Sequence, residues 1–453
     1  MKRSYLFIAM TAVIISCNSE KKASSNVGLI TLDPGHFHAA LVQKSMYEGV
    51  DSTVYVYGPE SPDMQLHLGR INAYNNRAEN PTHWKEDVYL GNDYLEKMLA
   101  EKKGNVVVLA GNNQHKTNYI QRSVNAGFNV LADKPMAIDA ANFELLKHAF
   151  QEAAKQKVLL YDIMTERYEI TNLLQRELAM MPGIFGELQK GTAAQPAIEI
   201  ESVHYFYKYV SGSVLTRPAW FMDVAQQGEG IADVATHLVD LVQWGFFPEK
   251  IIDYTKDIQV DSARHWSTDM TAEQFTAITQ QTQLPAYLLK DSSDGLLHVF
   301  ANGQINYRLN GTFIKIIAKW DYKATEGGDT HYAMIRGTKA NLVIRQGAAE
   351  KYKPTLFIKP ASAGSINDTD MEKEFKKITA NYEGVTLKKN ESGWEVVIPD
   401  KYKEGHEAHF ARVMEKYLGF LAKKEMPAWE VPNMLAKYYT TTRALEIAKS
   451  QNK

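Results

Sequence analysis

The chain of 453 residues holds a single cysteine, Cys17. One thiol cannot close an intrachain disulfide or build a zinc–thiolate site, so packing and the nitrogen and oxygen side chains must carry stability and chemistry. Charge of one sign is lacking too. The 51 basic and 53 acidic side chains leave a formal net charge of −2, with no basic excess to neutralise a phosphate backbone, which argues against nucleic acid as a partner. The apolar run at residues 6–15 is too short to cross a bilayer as a folded helix. The composition, 45% hydrophobic and 23% charged, is that of an ordinary globular protein, and the length suffices for two domains.

Lys2 and Arg3 precede the apolar run, which ends Ile14-Ile15-Ser16-Cys17. A positive start, an apolar core, a small residue and a cysteine in that order resemble the export signal and lipobox of bacterial lipoproteins, with Cys17 acylated as the mature N-terminus. Residues 1–17 are then a signal peptide and residues 18–26, polar and rich in Ser and Lys, a tether. The expectation is an exported lipoprotein, periplasmic or on the outer membrane or cell surface, joined to the membrane by its N-terminal lipid only.

From residue 27 the texture alternates. Apolar, β-branched runs at residues 27–32, 53–57, 105–110, 129–132 and 158–161 are separated by segments of helical period at 92–103, 117–126 and 139–155. The pattern predicts an α/β fold with a Rossmann-like, doubly wound parallel sheet over residues 27–160. Beyond it, runs of alternating character at 199–209, 295–301, 304–309, 313–319 and 341–344 predict a C-terminal α+β domain, residues 161–453, built on a mostly antiparallel sheet. Helices over 231–245 and 406–423 should pack on one face of that sheet. A loop is expected at 364–384, and a terminal helix over 431–449 should return to the first domain.

Chemistry concentrates at the strand ends. The third strand leads into Gly111-Asn112-Asn113-Gln114-His115, and the fourth into Asp133-Lys134-Pro135. Trp220 then precedes a glycine-rich turn and the pattern Asp233-x-x-x-His237-x-x-Asp240. Four residues apart on a helical segment, Asp233 and His237 share a face, where the carboxylate can orient the imidazole and raise its basicity. Lys134 lies at the carboxyl end of a strand, where open parallel sheets hold ligands, and its ammonium can hold a hydroxyl and depress a neighbouring pKa.

In order and spacing these motifs resemble the Gfo/Idh/MocA oxidoreductase family over residues 27–250. The resemblance implies NAD or NADP, tightly held against Gly35, His36, Phe37, His38, Asn112, Asn113, His115, Asp133, Lys134 and Pro135. It implies catalysis by Lys134, Asp233 and His237, which would remove a proton from a sugar hydroxyl during hydride transfer. Substrate contacts are expected from Glu166, Arg167 and Tyr168 after the last strand of the first domain, and from His204, Arg217 and Trp220, with Tyr205, Tyr207 and Phe221 as aromatic platform. A small-molecule or oligosaccharide substrate and a homo-oligomer through the C-terminal sheet complete the expectation.

The phosphate loop departs from the family pattern. In place of G-x-G-x-x-G the chain reads Asp33-Pro34-Gly35-His36-Phe37-His38, so only Gly35 matches a required glycine. Asp33 sets a carboxylate where a pyrophosphate would be repelled, and His38 is bulky where close helix–strand packing wants no side chain. The second strand ends Tyr57-Gly58-Pro59, with no ribose-binding acid until Glu60. Asp33, His36 and His38, helped by His67 or His115, are an alternative set of divalent-metal ligands; the other reading has both imidazoles simply lining the cleft. An exported enzyme meets no exchanging nicotinamide pool, so it must retain its cofactor or do without one. Three functions stay open: a carbohydrate oxidoreductase, redox-neutral glycosidase chemistry included; a dinucleotide-independent, metal- or base-assisted sugar lyase or hydrolase; and a noncatalytic sugar-binding lipoprotein.

Overall fold

The computed structural model describes residues 27–210, 213–324 and 326–451. The expected signal peptide, Cys17 and tether lie outside the described residues.

Six parallel strands build the first sheet: β1 (Leu29–Leu32), β2 (Thr53–Gly58), β3 (Lys85–Leu90), β4 (Val106–Leu109), β5 (Asn129–Asp133) and β6 (Leu160–Ile163), in the order 3-2-1-4-5-6. Every residue of the central pair β1 and β4 is buried, because helices cover both faces of the sheet. The crossovers carry α1 (His38–Val42), α2 (Pro62–Asn76), α3 (Tyr94–Glu101), α4 (Asn113–Asn125) and α5 (Ala140–Gln156). Ser61, Asn112 and Asp139 cap α2, α4 and α5 by accepting a hydrogen bond from a first-turn amide.

The second sheet runs, in spatial order, Ile258–Met270, Leu296–Leu309, Thr312–Lys323, Ile198–Tyr207, Thr330–Arg336, Ala340–Gln346, Thr355–Pro360, Gly393–Val397 and Thr386–Asn390. Thr312–Lys323 and Ile198–Tyr207 pair in parallel; the other neighbours along this path are antiparallel. Ile198, Ile200, Ile314 and Ile316 point into the core beneath the helices Ile170–Ala179 and Val234–Phe246. The opposite face carries the ion pairs Lys315–Glu199 and Lys319–Glu201.

Three expectations are corrected here. The runs at 295–301 and 304–309 form one strand, because Gly303 sits within it: a Cβ there would lie 2.1 Å from Ile231 Cγ1, so glycine lets Ile231 close onto the sheet. The expected loop at 364–384 contains a helix, Asp368–Asn381, capped by Asn367 and burying Met371, Phe375 and Ile378 on one stripe. The helix His406–Lys423 packs on the first domain rather than on the second sheet, giving Phe410, Val413, Met414 and Tyr417 to the first core. The terminal helix, Glu430–Gln451, touches both domains: Tyr438 Oη donates to Asp162 Oδ2 at 2.9 Å, and Lys437 bridges Asp162 and Asp240.

Candidate active site

The carboxyl ends of β1, β4 and β5 face the second sheet across a cavity of about 360 Å³. Seven of the chain's thirteen histidines line it: His36, His38, His204, His237, His331, His406 and His409. The cavity thus gathers imidazoles, and burial depresses the pKa of His36, His38, His237, His331 and His409 below the ordinary value.

Lys134 follows β5 and crosses the cleft to donate to the Asp233 carboxylate at the start of the helix Val234–Phe246. Both side chains are largely buried. Burial alone would raise the Asp233 pKa, but the Lys134 ammonium beside it prevails and holds the carboxyl below the usual range. The expected pairing of Asp233 with His237 is therefore corrected. Asp233 occupies the cap position rather than the helix proper, and its carboxylate is engaged by Lys134. His237 Nδ1 is buried without a hydrogen-bond partner among the described residues. Burial and the neighbouring Lys134 charge depress its pKa to about 4, so it is a neutral imidazole at pH 7, able to accept a proton.

On the other side of the β5 end, Asp133 Oδ2 lies 2.9 Å from His38 Nδ1 and 3.6 Å from His36 Nδ1. Burial keeps both imidazoles neutral. It also works against Asp133, yet the two imidazoles and the Lys116 ammonium hold that residue as a carboxylate. Lys116, buried in α4, donates to the Asp133 carbonyl at 3.0 Å and to the Asn113 side chain, and burial lowers its pKa to about 8. Its neighbour His115, expected to touch a cofactor, is exposed on α4 and off the cavity. The helical phase of α4 was the signal that could have separated them.

Asp33, in a left-handed conformation (φ 48°), turns away from the two histidines and accepts from Tyr119 Oη at 2.9 Å. It is not part of their cluster; Asp133 takes that place. Gly35 faces Trp220, whose Cζ2 would stand 3.2 Å from a Cβ at that position, and Trp220 Nε1 donates to Asp63 Oδ2 at 2.8 Å. Trp220 thus lies over the β1–α1 loop and does not line the cavity. Neither do Pro135 and Asn112, whose side-chain amide donates to Gln226. Phe37 and Asn113 do.

Of the expected substrate contacts, Glu166, His204, Arg217 and Phe221 line the cavity. Glu166 meets His406 Nδ1 at 3.4 Å, and His204 Nδ1 lies 3.2 Å from Asp329 Oδ2. The Arg217 guanidinium sits over the Phe221 ring, 4.6 Å from its centroid. Arg167 is corrected: it is buried away from the cavity, with a two-pronged grip on Asp240 at 2.7 Å and a bond to Glu430 at 3.1 Å. Tyr168 packs against the first core, and Tyr205 and Tyr207 do not line the cavity. Asp329, His331, His406 and His409 line it without having been singled out. His406 and His409, three apart on a helix, were the findable pair.

Comparison with known proteins agrees with this architecture. The family described as "Oxidoreductase family, NAD-binding Rossmann fold" matches residues 32–161, and "Putative oxidoreductase C terminal domain" matches residues 174–449. A crystal structure described as a "putative oxidoreductase" from Parabacteroides merdae is 52% identical, with a TM-score of 0.92 over 94% of this chain and 98% of that one. A "putative oxidoreductase" from Thermotoga maritima shares 13% identity at a TM-score of 0.59, over 94% of this chain and 98% of that one. Levoglucosan dehydrogenase, solved with NADH and L-sorbose, shares 12% at 0.60 over the same fractions. The latter two likenesses are of fold alone. No curated protein matches the sequence. The β1–α1 loop is atypical, but the sheet order, the two matched domains and the close structural relative agree: the chain is a member of the Gfo/Idh/MocA family of oxidoreductases.

Proposed function

We propose that the enzyme acts on a carbohydrate-class substrate, a sugar or glycoside, bound in the cavity between its domains, with NAD or NADP as hydride carrier. The observation that carries this reading is the Lys134–Asp233 pair beside the neutral imidazole of His237, whose Nδ1 has no hydrogen-bond partner among the described residues. His237 takes the proton of a substrate hydroxyl, and Lys134, held by Asp233, stabilises the alkoxide as its charge develops. The polar and aromatic lining, with Glu166, His204 and Arg217 around Phe221 and Trp320, suits a ring bearing several hydroxyls. Levoglucosan dehydrogenase, a neighbour in fold, is solved with NADH and with levoglucosan.

The carrier implied by the fold is a dinucleotide, and the β1–α1 loop as it stands does not fit its diphosphate. Asp33 and Asp63 bring carboxylates to the loop, Trp220 covers Gly35, and the His36 amide is spent on the Ala110 carbonyl at 3.1 Å. Seating a dinucleotide requires Trp220 to leave Asp63. This closure favours a second reading, in which His237 and Lys134 serve a dinucleotide-independent elimination or hydrolysis of a sugar. Denaturing the purified protein and reading released nicotinamide by absorbance and mass decides between them, with turnover of a panel of glycosides and sugar alcohols followed in parallel. Released NAD or NADP supports the redox reading; turnover without it supports the second. Failure of any sugar to bind or react sinks both.

We further propose that residues 1–17 direct export, that Cys17 carries the lipid anchor, and that copies of the chain associate through the open face of the second sheet.

A further inference from the structure

We infer that His36, His38 and Asp133 form a binding site for one divalent first-row transition-metal ion. Their ligand atoms all lie within 4.8 Å of one another. A tetrahedral ion about 2.1 Å from nitrogen and oxygen ligands spaces those ligands about 3.4 Å apart. The separations from Asp133 Oδ2, 2.9 Å to His38 Nδ1 and 3.6 Å to His36 Nδ1, straddle that value.

Two further features point the same way. His36 Nδ1 is buried with no hydrogen-bond partner among the described residues, a position costly to leave unfilled. Both rings are also held by packing. His36 stacks against Phe221 at 6.3 Å and 10°, and His38 lies against Phe410 at 4.7 Å. A site so preorganised asks little rearrangement of its ligands; the ion would replace the proton that now joins His38 to Asp133.

The surrounding charges permit a cation. Lys134 is engaged by Asp233, Lys116 is directed at the Asp133 carbonyl and the Asn113 side chain, and the Glu166 carboxylate lines the same cavity. All three ligands also line that cavity, so a fourth coordination position faces the substrate space, as in sites with three protein ligands and an open position. Two imidazoles and one carboxylate suit zinc, iron, cobalt, nickel or manganese rather than calcium or magnesium. The loop that in the family cradles a phosphate would here hold a metal. The inference rests on geometry alone, and its test does not depend on which reaction proposed above the enzyme performs.

The test uses the full chain, stripped with a chelator and titrated with zinc chloride and cobalt chloride by calorimetry, with cobalt absorption as a report on coordination. One equivalent per chain is expected. His36→Gln should weaken binding by about 100-fold or more, since even supporting partners of metal ligands are worth 10- to 100-fold. His38→Gln should do the same, with circular dichroism to confirm folding, whereas His331→Gln, outside the cluster, should bind as the wild type does. Absence of stoichiometric binding in the wild type overturns the inference whatever the variants do. Full affinity in a folded His36→Gln protein also overturns it. Neither readout depends on activity, so an inactive enzyme that binds zinc leaves the site standing and the proposed reaction in question.

Discussion

The Lys134 ammonium, at the end of β5 in the first domain, donates to the Asp233 carboxylate at the foot of a helix in the second. With 11% and 5% of their side chains exposed, the two tie the domains together at the point where the chemistry is placed. Removing one partner strands a buried charge, so Lys134→Met should cost about 3 kcal/mol or more and lower turnover as well. The double variant Lys134→Met/Asp233→Asn strands no charge. It should regain most of the stability but not the turnover, as melts and steady-state kinetics would show. Turnover restored in the double variant would make the pair structural only.

His237 is expected to lower turnover by about 100-fold or more when replaced by alanine, the range for loss of a positioned acid–base group. Its pH profile carries the stronger test. A base with its pKa depressed to about 4 stays neutral through the mildly acidic range, so kcat/KM should hold until the pH approaches that value and fall below it. An acid limb near the ordinary imidazole pKa would contradict the burial that shapes this site.

His67 lies on α2, with both ring nitrogens buried and unpartnered among the described residues, and burial lowers its pKa to about 3. As pH falls below the ordinary imidazole value, the unfolded chain takes up a proton that the folded chain refuses. Stability is therefore lost between roughly pH 6.5 and that lower value. His67→Leu should stabilise the protein by about 1 kcal/mol at pH 7 and reduce its further loss at pH 5. Denaturant unfolding at the two pH values measures both effects; an unchanged difference between them would show that His67 is solvated.

What was legible in the sequence follows from burial. β1 and β4 are covered on both faces and so appear as unbroken apolar runs. β3, an edge strand reading Lys85-Glu86-Asp87-Val88-Tyr89-Leu90 with no residue fully buried, gives no such signal. Arg167 shows the limit at the site. Its place after β6 was readable, but its direction is set by Asp240 and by Glu430, 263 residues away, and no local pattern contains that. The cluster around His36 and His38 was half visible: the two histidines lie two apart where the loop enters α1, whereas their carboxylate comes from β5 rather than from Asp33 in that loop.

Membrane attachment through Cys17 is expected to be independent of the fold. Cys17→Ser should move the protein from the membrane fraction to the soluble fraction, because one acylated residue is the proposed anchor. Among the described residues no helix is long and apolar enough to cross a membrane. Retention of the variant in membranes after a high-salt wash would contradict lipidation at Cys17.

Trp220 closes over Gly35. Trp220 Nε1 donates to Asp63 Oδ2 at 2.8 Å, and the indole occupies the space above the loop. A ligand that binds only the opened form pays for the closed population in its apparent affinity. Removing the contact should abolish that penalty. In the stripped protein, Trp220→Ala combined with Asp63→Asn should therefore bind NAD at least about tenfold more tightly than the wild type, a difference of about 1.4 kcal/mol. The asparagine also removes a carboxylate that lies 3.5 Å from the Cβ position of Gly35, so like-charge repulsion of a diphosphate falls with it. Calorimetry on folded protein gives the comparison. If affinity is unchanged, the obstacle lies instead in the Asp33 carboxylate, held by Tyr119, or in the link from the His36 amide to the Ala110 carbonyl, and not in the Trp220 side chain.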